Sequence, residues 1–536
     1  MKTIYINGAV YTGELPLCSA FSVQDGRFVQ TGDDSALLAT RRAGDEVIDL
    51  QGRFVCAGFN DSHMHLLGFG QSLTMAPLHR HTRSLADMLD ALRNFLRERP
   101  PLDGWLLGRG WNQDYFADEK RLPTRHDLDR VSAEIPIYIT RACGHIACAN
   151  TRAIELAGVT PDTPCPEGGR FDVGEDGRLT GIFRENARRL ITDRMPQPSP
   201  ESIRRMIDAA ARELNRYGIT SCQTDDFCVY PELDSAVVLD AFRALAEEGA
   251  LRVRVNEQAH FCDAASLRAF LDAGYHTGVG DAFFRIGPLK MLGDGSLGAR
   301  TAYMSRPYAD APDTLGIPVY TRAQFDEMIS LAHRNRMQVA IHAIGDGILD
   351  DILDAYERAL TECPREDHRH GIVHCQITRP DQLERMRRMR LHAYVQSIFL
   401  DYDNHIVAER VGADRAATSY AFRTLLTQYH ASNGSDCPVE LPNVLAGIQC
   451  GVTRQTLSGG PAYRPEEAFS VQQALDTFTR EGAFASFEED VKGRIAPGMY
   501  ADFVVLSDNP FDVDPHSIRD IRVLQTVLDG RTMYLA

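Results

Sequence analysis

Two histidines separated by one residue follow an apolar segment near the start of the chain. Residues 54–59 are apolar and strand-like, and His63 and His65 come shortly after them. Residues i and i+2 of a β-strand face the same side, so the two imidazoles would point together and could bind one metal ion. Most His-X-His pairs are incidental, and it is the position at the end of a strand that makes this pair a candidate metal site.

Three more ligand-type side chains follow strand-like segments farther along the chain. They are His342, His374 and Asp436. A single histidine at the end of an apolar segment is more often an ordinary buried residue than a ligand. Here, however, three such residues lie at the ends of strand-like segments, as the first pair does. A mixture of histidine and carboxylate ligands suits zinc best and is compatible with iron or manganese.

Lysine is rare in this chain, and one lysine lies in an unusual place. Of 57 basic residues only four are lysine. Lys290 lies within the apolar segment 286–292, where an unpaired ammonium group would be strongly destabilising. Two interpretations follow: the amine could combine with carbon dioxide to form an anionic carbamate that bridges two metal ions, or it could pair with an acid such as Asp294.

Eight short strand-like segments position these residues. They are residues 54–59, 219–223, 253–257, 286–292, 338–341, 371–375, 393–397 and 430–434. Helix-like segments with apolar residues at i, i+3 and i+4 lie between most of them, for example residues 324–335 and 346–361. Eight strands with intervening helices predict a (β/α)8 TIM barrel, an α/β fold that carries catalytic residues at the carboxyl ends of its strands. A doubly wound open sheet is the alternative.

Both ends of the chain are rich in short strands joined by turn dipeptides. The turns are Asn7-Gly8, Asp25-Gly26, Gln51-Gly52 and Asp529-Gly530. Each lies between two strand-like segments and is typical of a hairpin. We therefore expect residues 1–55 and 491–536 to form one small β-sandwich domain, with the barrel in residues 56–490.

The segment between the first and second predicted barrel strands is far longer than one helix requires. Residues of about 70–215 are therefore predicted to form an inserted subdomain. Loops that follow barrel strands lie over the carboxyl end of the barrel, so the insertion is the best candidate for a substrate lid.

Several polar and aromatic residues are weaker candidates for substrate contact. They are Arg109, Trp111, His145 and Glu185 in the insertion and Arg300 after the fourth strand. A structural hydrogen bond or a surface ion pair explains each polar residue equally well, and Trp111 and Tyr115 could instead lie in the core of the insertion. The acid pairs Asp225-Asp226 and Asp350-Asp351 are interpreted as helix caps or solvated surface.

Composition excludes several classes of protein. The chain has 536 residues and a net charge of −17, which argues against nucleic acid and against an anionic membrane surface as partners. The first residues lack the apolar segment of a secretory signal, and no window is apolar enough to predict a transmembrane helix. The 12 cysteines are scattered without CxxC pairs, which favours free thiols in a cytoplasmic protein.

The set of motifs resembles the amidohydrolase superfamily, and within it the amidohydrolase family 3, a YtcJ-like branch that includes N-substituted formamide deformylases. The matching stretches cover nearly the whole chain: 48–50, 58–65, 141–145 with Asn150, 181–185, 289–290 with 294–302, 342–346, His374, 434–438 and 493–502. One departure from the usual family pattern is visible. Ala57, directly before the motif Gly58-Phe59-Asn60-Asp61-Ser62-His63-Met64-His65, stands where the family usually has a proline.

The resemblance implies a role for each candidate ligand. His63 and His65 would bind one metal ion and His342 and His374 a second, with carbamylated Lys290 between the two ions. Asp436 would bind the first ion and transfer protons as the catalytic residue. The ions would be zinc, one or two per chain, since members of this family differ in that number.

The resemblance also implies a reaction. It is hydrolysis of a non-peptide C–N bond in a small molecule, such as an amide, formamide or cyclic amide, by metal-activated hydroxide. A one-metal deaminase or C–O hydrolase with an unmodified Lys290 is the alternative. A non-catalytic scaffold is disfavoured because all six ligand positions are filled, and a homodimer is the assembly that the family suggests.

Overall fold

The computed structural model describes residues 2–101, 103–142, 145–166, 168–230 and 232–536. The chain divides into two compact units. Residues 1–66, 211–229 and 242–536 form the first, called the barrel unit here, and residues 67–210 and 230–241 form the second, called the inserted unit.

Eight parallel strands in sequential order form the centre of the barrel unit. They are β1 (Phe59–Met64), β2 (Ile219–Thr224), β3 (Arg254–His260), β4 (Phe284–Leu292), β5 (Val339–Ala343), β6 (Gly371–His374), β7 (His392–Val395) and β8 (Ala431–Asn433). The ends of β1 and β8 meet, because the Asp436 amide donates to the His63 carbonyl oxygen at 2.8 Å. Sequential order and closure confirm the (β/α)8 barrel and exclude a doubly wound sheet, whose strand order reverses.

The first predicted barrel strand is wrong by several residues. Phe54–Ala57 pairs antiparallel with Phe503–Leu506 in a sheet of the terminal domain, and the barrel strand β1 begins at Phe59. Both segments are buried, and the apolar stretch from Phe54 to Phe59 crosses the boundary between them, so the sequence predicts a single strand there. As a result His63 lies inside β1, and His65 is the first residue after its last residue, Met64.

Helices separate consecutive barrel strands, and further helices follow β8. The longer ones are Leu66–Leu73, Pro200–Arg216, Ser235–Glu247, Ala264–Asp272, Arg322–Arg334, Asp346–Glu362, Pro380–Met389, Phe422–Gln428 and Val444–Thr453. Shorter helices are Leu400–Asp403, Val407–Val411, Ala413–Ala416, Val471–Thr477 and Arg480–Ala485. Helix Arg322–Arg334 begins after Thr321, whose side chain accepts from the Gln324 amide, and it buries Phe325, Met328 and Ile329 on one face. Through the described parts of the chain, every helix is too short or too polar to cross a membrane.

Strands from both ends of the chain form two sheets, as predicted for the terminal β-sandwich. One sheet has the order Arg27–Gly32, Ala20–Gln24, Thr3–Ile6 and Glu46–Asp49. The other has the order Ala9–Val10, Phe54–Ala57, Phe503–Leu506, Val523–Leu528 and Arg531–Leu535. Side chains from both sheets, including Phe21, Phe28, Val55 and Phe503, share one buried core.

Two of the four predicted hairpins are confirmed and two are wrong. The turns at Asp25-Gly26 and Asp529-Gly530 join antiparallel neighbours. Asn7 and Gln51 do adopt the left-handed conformation of turn residues, with φ of 57° and 56°. However, the chain passes from one sheet to the other at these two turns, because the apolar residues that follow them are buried between the sheets.

The inserted unit contains a sheet of six strands with its own core. The strand order is Gly169–Val173, Leu179–Glu185, Ile146–Ala149, Ile137–Arg141, Leu106–Trp111 and Ala76–Pro77. Its helices are Leu85–Glu98, Arg125–Asp129, Thr151–Ala157 and Arg189–Thr192. Helix Leu85–Glu98 buries Leu85, Met88, Leu89 and Leu92, a spacing of three and four residues that places them on one face.

Candidate metal centre

His63, His65 and Asp436 meet where β1 and β8 end. The Oδ1 atom of Asp436 lies 3.4 Å from Nε2 of His63 and 3.2 Å from Nε2 of His65. An ion with tetrahedral bonds of about 2.0 Å separates its ligand atoms by about 3.3 Å. Both distances from Asp436 therefore match those around a single metal ion, and all three ligand atoms lie within 4.8 Å of one another.

Hydrogen bonds on the far side of each ring fix the orientation of both imidazoles. Nδ1 of His63 lies 2.8 Å from Oε1 of Gln258, and Nδ1 of His65 lies 2.9 Å from the backbone oxygen of Asp225. Each Nδ1 donates to an oxygen, so each Nε2 faces Asp436 and is the atom that would bind a metal ion. Metal-binding histidines in proteins are usually held in this way, which is the second observation that fits a metal centre.

A buried carboxyl group holds the loop that carries Asp436. Asp61 accepts hydrogen bonds from the Ser435 hydroxyl and, at 3.0 Å, from the Ser435 amide. Burial raises the pKa of Asp61 to about 7, despite the opposing effect of these bonds. Gly434 permits the close approach of β8 to β1, because a Cβ atom there would lie 2.6 Å from the backbone nitrogen of His63.

His342 and His374 form a second pair of rings beside the first. Their ring centroids are 4.4 Å apart, and those of His374 and His63 are 5.6 Å apart. Nδ1 of His374 lies 2.7 Å from Oε1 of Gln396, so Nε2 of His374 remains to bind a metal ion. His342 is turned the other way, since its Nε2 lies 3.0 Å from the Gly295 carbonyl oxygen and only Nδ1 remains for a metal ion.

Lys290 lies among these histidines, and its partner is Asp225. Nζ lies 3.2 Å from Oδ2 of Asp225 in a fully buried environment. Burial, with the charge of Lys290 added to it, lowers the pKa of both His63 and His374. The predicted alternative partner, Asp294, is wrong for this lysine, because its carboxylate accepts instead from the Ile344 and Gly345 amides, at 3.1 and 2.8 Å.

The interpretation of Asp225-Asp226 as a helix cap or solvated surface is also wrong, whereas Asp350-Asp351 does lie at a partly exposed helix surface. Asp225 and Asp226 are buried. Asp225 contacts Lys290 and His260, and the Asp226 amide donates to Glu257 at 3.0 Å. The carboxylates of Asp350 and Asp351 form ion pairs with Arg379 and Arg322. The two pairs look alike in the sequence. They differ in burial and in partners because Asp225 lies beside the ends of the neighbouring barrel strands, where His260 and Lys290 contact it.

The charges of this cluster favour a deprotonated Asp436 and a protonated His65. Burial alone would raise the pKa of Asp436, but the hydrogen bond with His65 and the neighbouring positive charges outweigh it and lower that pKa. Burial alone would lower the pKa of His65, yet its hydrogen bond with Asp436 and the charge of Asp225 raise it to about 9. A metal ion that binds His65 must therefore displace a proton.

The weaker candidates have partners or surroundings of their own. Arg300 forms an ion pair with Asp310 at 2.6 Å, and His145 lies 2.8 Å from Glu185 in the inserted unit. Trp111 lies in the core of the inserted unit, which was the alternative to substrate contact, whereas Arg109 and Tyr115 are exposed. Cys143 and Gly144 of the motif that precedes His145 lie outside the described residues.

Sequence reasoning missed the residues that orient the ligands. Gln258, Gln396 and Asp225 do not belong to a motif, and a polar residue at the end of a predicted strand was their only signal.

Replacing Gln258 with methionine should weaken metal binding by about 10–100-fold, the usual effect of losing such a partner. Metal affinity measured by competition with a chelator tests this, and Gln338→Met, a buried glutamine bonded to Arg369 and Tyr394, is the matched control. Equal affinity of Gln258→Met and the natural chain would contradict it.

Comparison with known proteins gives consistent results over the whole chain. Residues 46–534 match the model of the Amidohydrolase family. The chain is 32% identical to amidohydrolase YtcJ of Bacillus subtilis (strain 168), over 100% of this chain and 99% of that protein. It is 25% identical to N-substituted formamide deformylase of Arthrobacter pascens, over 96% of this chain and 94% of that protein.

A solved structure shares the architecture. An uncharacterized metal-dependent hydrolase from Pyrococcus furiosus matches with a TM-score of 0.78 and 29% identity, covering 96% of this chain and 100% of the other.

Proposed function

Because this chain belongs to the amidohydrolase family, we propose that it hydrolyses a non-peptide carbon–nitrogen bond of a small molecule at a metal centre. The observation that carries the proposal is the cluster of His63, His65 and Asp436, whose ligand atoms lie at the spacing of one metal ion. An amide, formamide or cyclic amide is the proposed substrate class. Similarity to a relative named N-substituted formamide deformylase supports a formamide in particular.

The residues of the centre have separate tasks in this reaction. When bound, a zinc-class ion lowers the pKa of water to about 7 and polarises a carbonyl oxygen. Gln258 and the Asp225 backbone hold His63 and His65 as neutral ligands. Oδ1 of Asp436 faces both rings, so Oδ2 is the oxygen that can hold a proton from water and pass it to the leaving nitrogen. The C–N bond breaks, the acyl carbon takes the hydroxyl group of water, and the leaving nitrogen takes the remaining proton.

We propose two zinc ions, with His342, His374 and carbamylated Lys290 completing the second position. The clustering of the four histidines around Lys290 supports this arrangement, since a carbamate would replace a buried cation with an anion among them. Iron or manganese could replace zinc with the same donor atoms.

A one-metal centre is the second candidate, and two observations favour it. Lys290 already has a buried partner in Asp225. Within the described residues, the close group of ligand atoms at this centre contains neither His342 nor His374. With Lys290 as an unmodified amine, the same barrel would suit a deaminase or a C–O hydrolase.

Activity of metal-replete protein against a defined panel tests the proposal. The panel contains formamides, N-acyl amines and cyclic amides, with esters and amino-substituted heterocycles to represent the second candidate. We expect amine release from the first three classes, loss of activity after chelation, and recovery with zinc. His65→Ala should lose metal and activity, and His516→Ala, an exposed histidine of the barrel unit, should keep both. Turnover of esters or ring amines alone would contradict the proposal.

A further inference from the structure

A second group of metal-ligand side chains lies outside the centre described above, at the carboxyl ends of β2 and β3. Cys228 follows β2, His260 is the last residue of β3, and Cys262 comes two residues later. The two sulfur atoms and a ring nitrogen of His260 all lie within 4.8 Å of one another. The proposed hydrolysis uses none of these three side chains.

The same dipeptide, Phe-Cys, follows both strands and brings the two thiols together. Phe227 and Phe261 pack with their ring centroids 5.9 Å apart, and Phe270 contacts both rings. Because β2 and β3 are parallel neighbours, their carboxyl ends lie at the same edge of the barrel. The packed phenylalanines therefore place the cysteine that follows each of them beside the other. Cys228 is half-buried and Cys262 is exposed, so the group is open to solvent.

His260 is oriented as metal-binding histidines are. Its Nδ1 lies 3.2 Å from Oδ1 of Asp225, so Nε2 is the nitrogen on the side of the thiols. Burial alone would lower the pKa of His260, but Asp225 raises it to about 11, so a metal ion that binds Nε2 must displace a proton. A carboxylate on the far nitrogen fixes the tautomer and makes the near nitrogen a better donor. The hydrogen bond with His260 is also the main cause that lowers the pKa of Cys262, and a thiolate is the form of cysteine that binds metal.

We propose that Cys228, His260 and Cys262 form a second metal site, for a thiophilic divalent cation of the zinc class. Tetrahedral zinc with bonds of about 2.3 Å to sulfur and about 2.0 Å to nitrogen separates its ligands by roughly 3.5–3.8 Å. Movements of about an ångström would close the three side chains on such an ion. Two thiolates select zinc over magnesium, calcium or manganese, and the fourth position, beside exposed Cys262, is open to water.

This site shares no ligand with the first centre but contacts it through Asp225. The Asp225 carboxylate lies 3.2 Å from His260 through Oδ1 and 3.2 Å from Lys290 through Oδ2. Its backbone oxygen lies 2.9 Å from Nδ1 of His65. An ion at the second site would therefore fix the residue that positions two proposed ligands of the first. The inference does not rest on the proposed reaction, since it concerns binding alone.

Cobalt(II) titration of the full-length chain tests the second site, after chelation and under reducing conditions. The proposed ligands of the first centre include no sulfur, so a sulfur-to-cobalt charge-transfer band reports the second site alone. We expect a band that saturates once the first centre and the second site are both filled, and that is lost in both Cys228→Ser and Cys262→Ser. Cys165→Ser, another exposed cysteine, and Cys375→Ser, which follows His374, should keep the band at full intensity.

Three results would overturn the proposal. The first is the absence of the band from the natural chain, and the second is its full persistence in Cys262→Ser. The third is a Cys228–Cys262 disulfide, detected by intact-mass analysis, in a chain that shows no cobalt band after the disulfide has been reduced. The last result would identify a redox pair instead. Because Cys262 is exposed, its serine variant should keep the native circular dichroism spectrum, and it decides the question if Cys228→Ser fails to fold.

Discussion

Replacing Asp436 with asparagine is expected to lower kcat by about 10³-fold or more. General acid–base catalysis by a positioned group contributes about 10²–10⁴-fold, and Asp436 is also a proposed metal ligand. Asparagine keeps the size of the side chain and an oxygen that can face His63 and His65, but it cannot hold the transferred proton. The loss should therefore appear in kcat, while metal content per chain falls much less.

Asp403→Asn is the matched control for Asp436→Asn. Asp403 is a buried acid of the barrel unit that accepts from Gln376 at 3.1 Å and from the Tyr420 hydroxyl at 2.8 Å. Burial raises the pKa of Asp403 to about 6, so an amide in its place should be tolerated. We expect Asp403→Asn to keep kcat within about tenfold of the natural chain, as an acid without contact to the substrate should. An Asp436→Asn variant with more than a tenth of the natural kcat would show that another group transfers the proton.

The positions of the candidate ligands could be read from the sequence because barrels place them at strand ends. His374 ends the apolar strand Gly371–His374, and His63 and Asp436 come within four residues of the strand-like segments 54–59 and 430–434, so this pattern is local. What holds those ligands is not local. Gln258 on β3 orients His63 on β1, although 195 residues separate them, and only the barrel geometry brings the two strands near each other.

Two features of the chain were hidden by residues that look alike. The apolar stretch from Phe54 to Phe59 belongs to two sheets, and its apolar composition does not mark the division at Gly58. Likewise, the turns at Asn7 and Asp25 both have positive φ, but only the second joins neighbouring strands. In both cases the deciding factor is which core buries the next apolar residue, and that is a property of the folded chain.

The scarcity of lysine is a less specific signal than it first appears. Lys492 is as well buried as Lys290, and it lies 2.6 Å from both Glu488 and the Ser221 hydroxyl. Its charge is thus fully satisfied by a carboxylate and a hydroxyl. Lys290 has one carboxylate at the longer distance of 3.2 Å and histidines on its other sides. Only the surroundings distinguish a structural lysine from a candidate for carbamylation.

Replacing Lys290 with alanine is expected to reduce the metal content from two ions to one per chain and to lower kcat by about 10²-fold or more. A metal ion that polarises a carbonyl is worth several kcal/mol, and about 1.4 kcal/mol corresponds to tenfold in rate. Elemental analysis of the purified chain and kcat on the best substrate of the panel measure the two effects. Protein prepared without carbon dioxide should show the same deficit, and bicarbonate should restore it in the natural chain alone.

Lys290→Arg separates the carbamate from a simple ion pair. Arginine keeps the positive charge that Asp225 contacts but cannot form the carbamate, so we expect the same loss of metal as in Lys290→Ala. The matched control is Lys492→Arg, in which the charge next to Glu488 is retained and both metal and kcat should persist. If Lys290→Ala kept full activity and full metal content, the two-metal arrangement would be wrong. If Lys290→Arg kept full activity and full metal content but Lys290→Ala did not, then Lys290 would supply its positive charge rather than its amine. The one-metal centre would then be the correct interpretation.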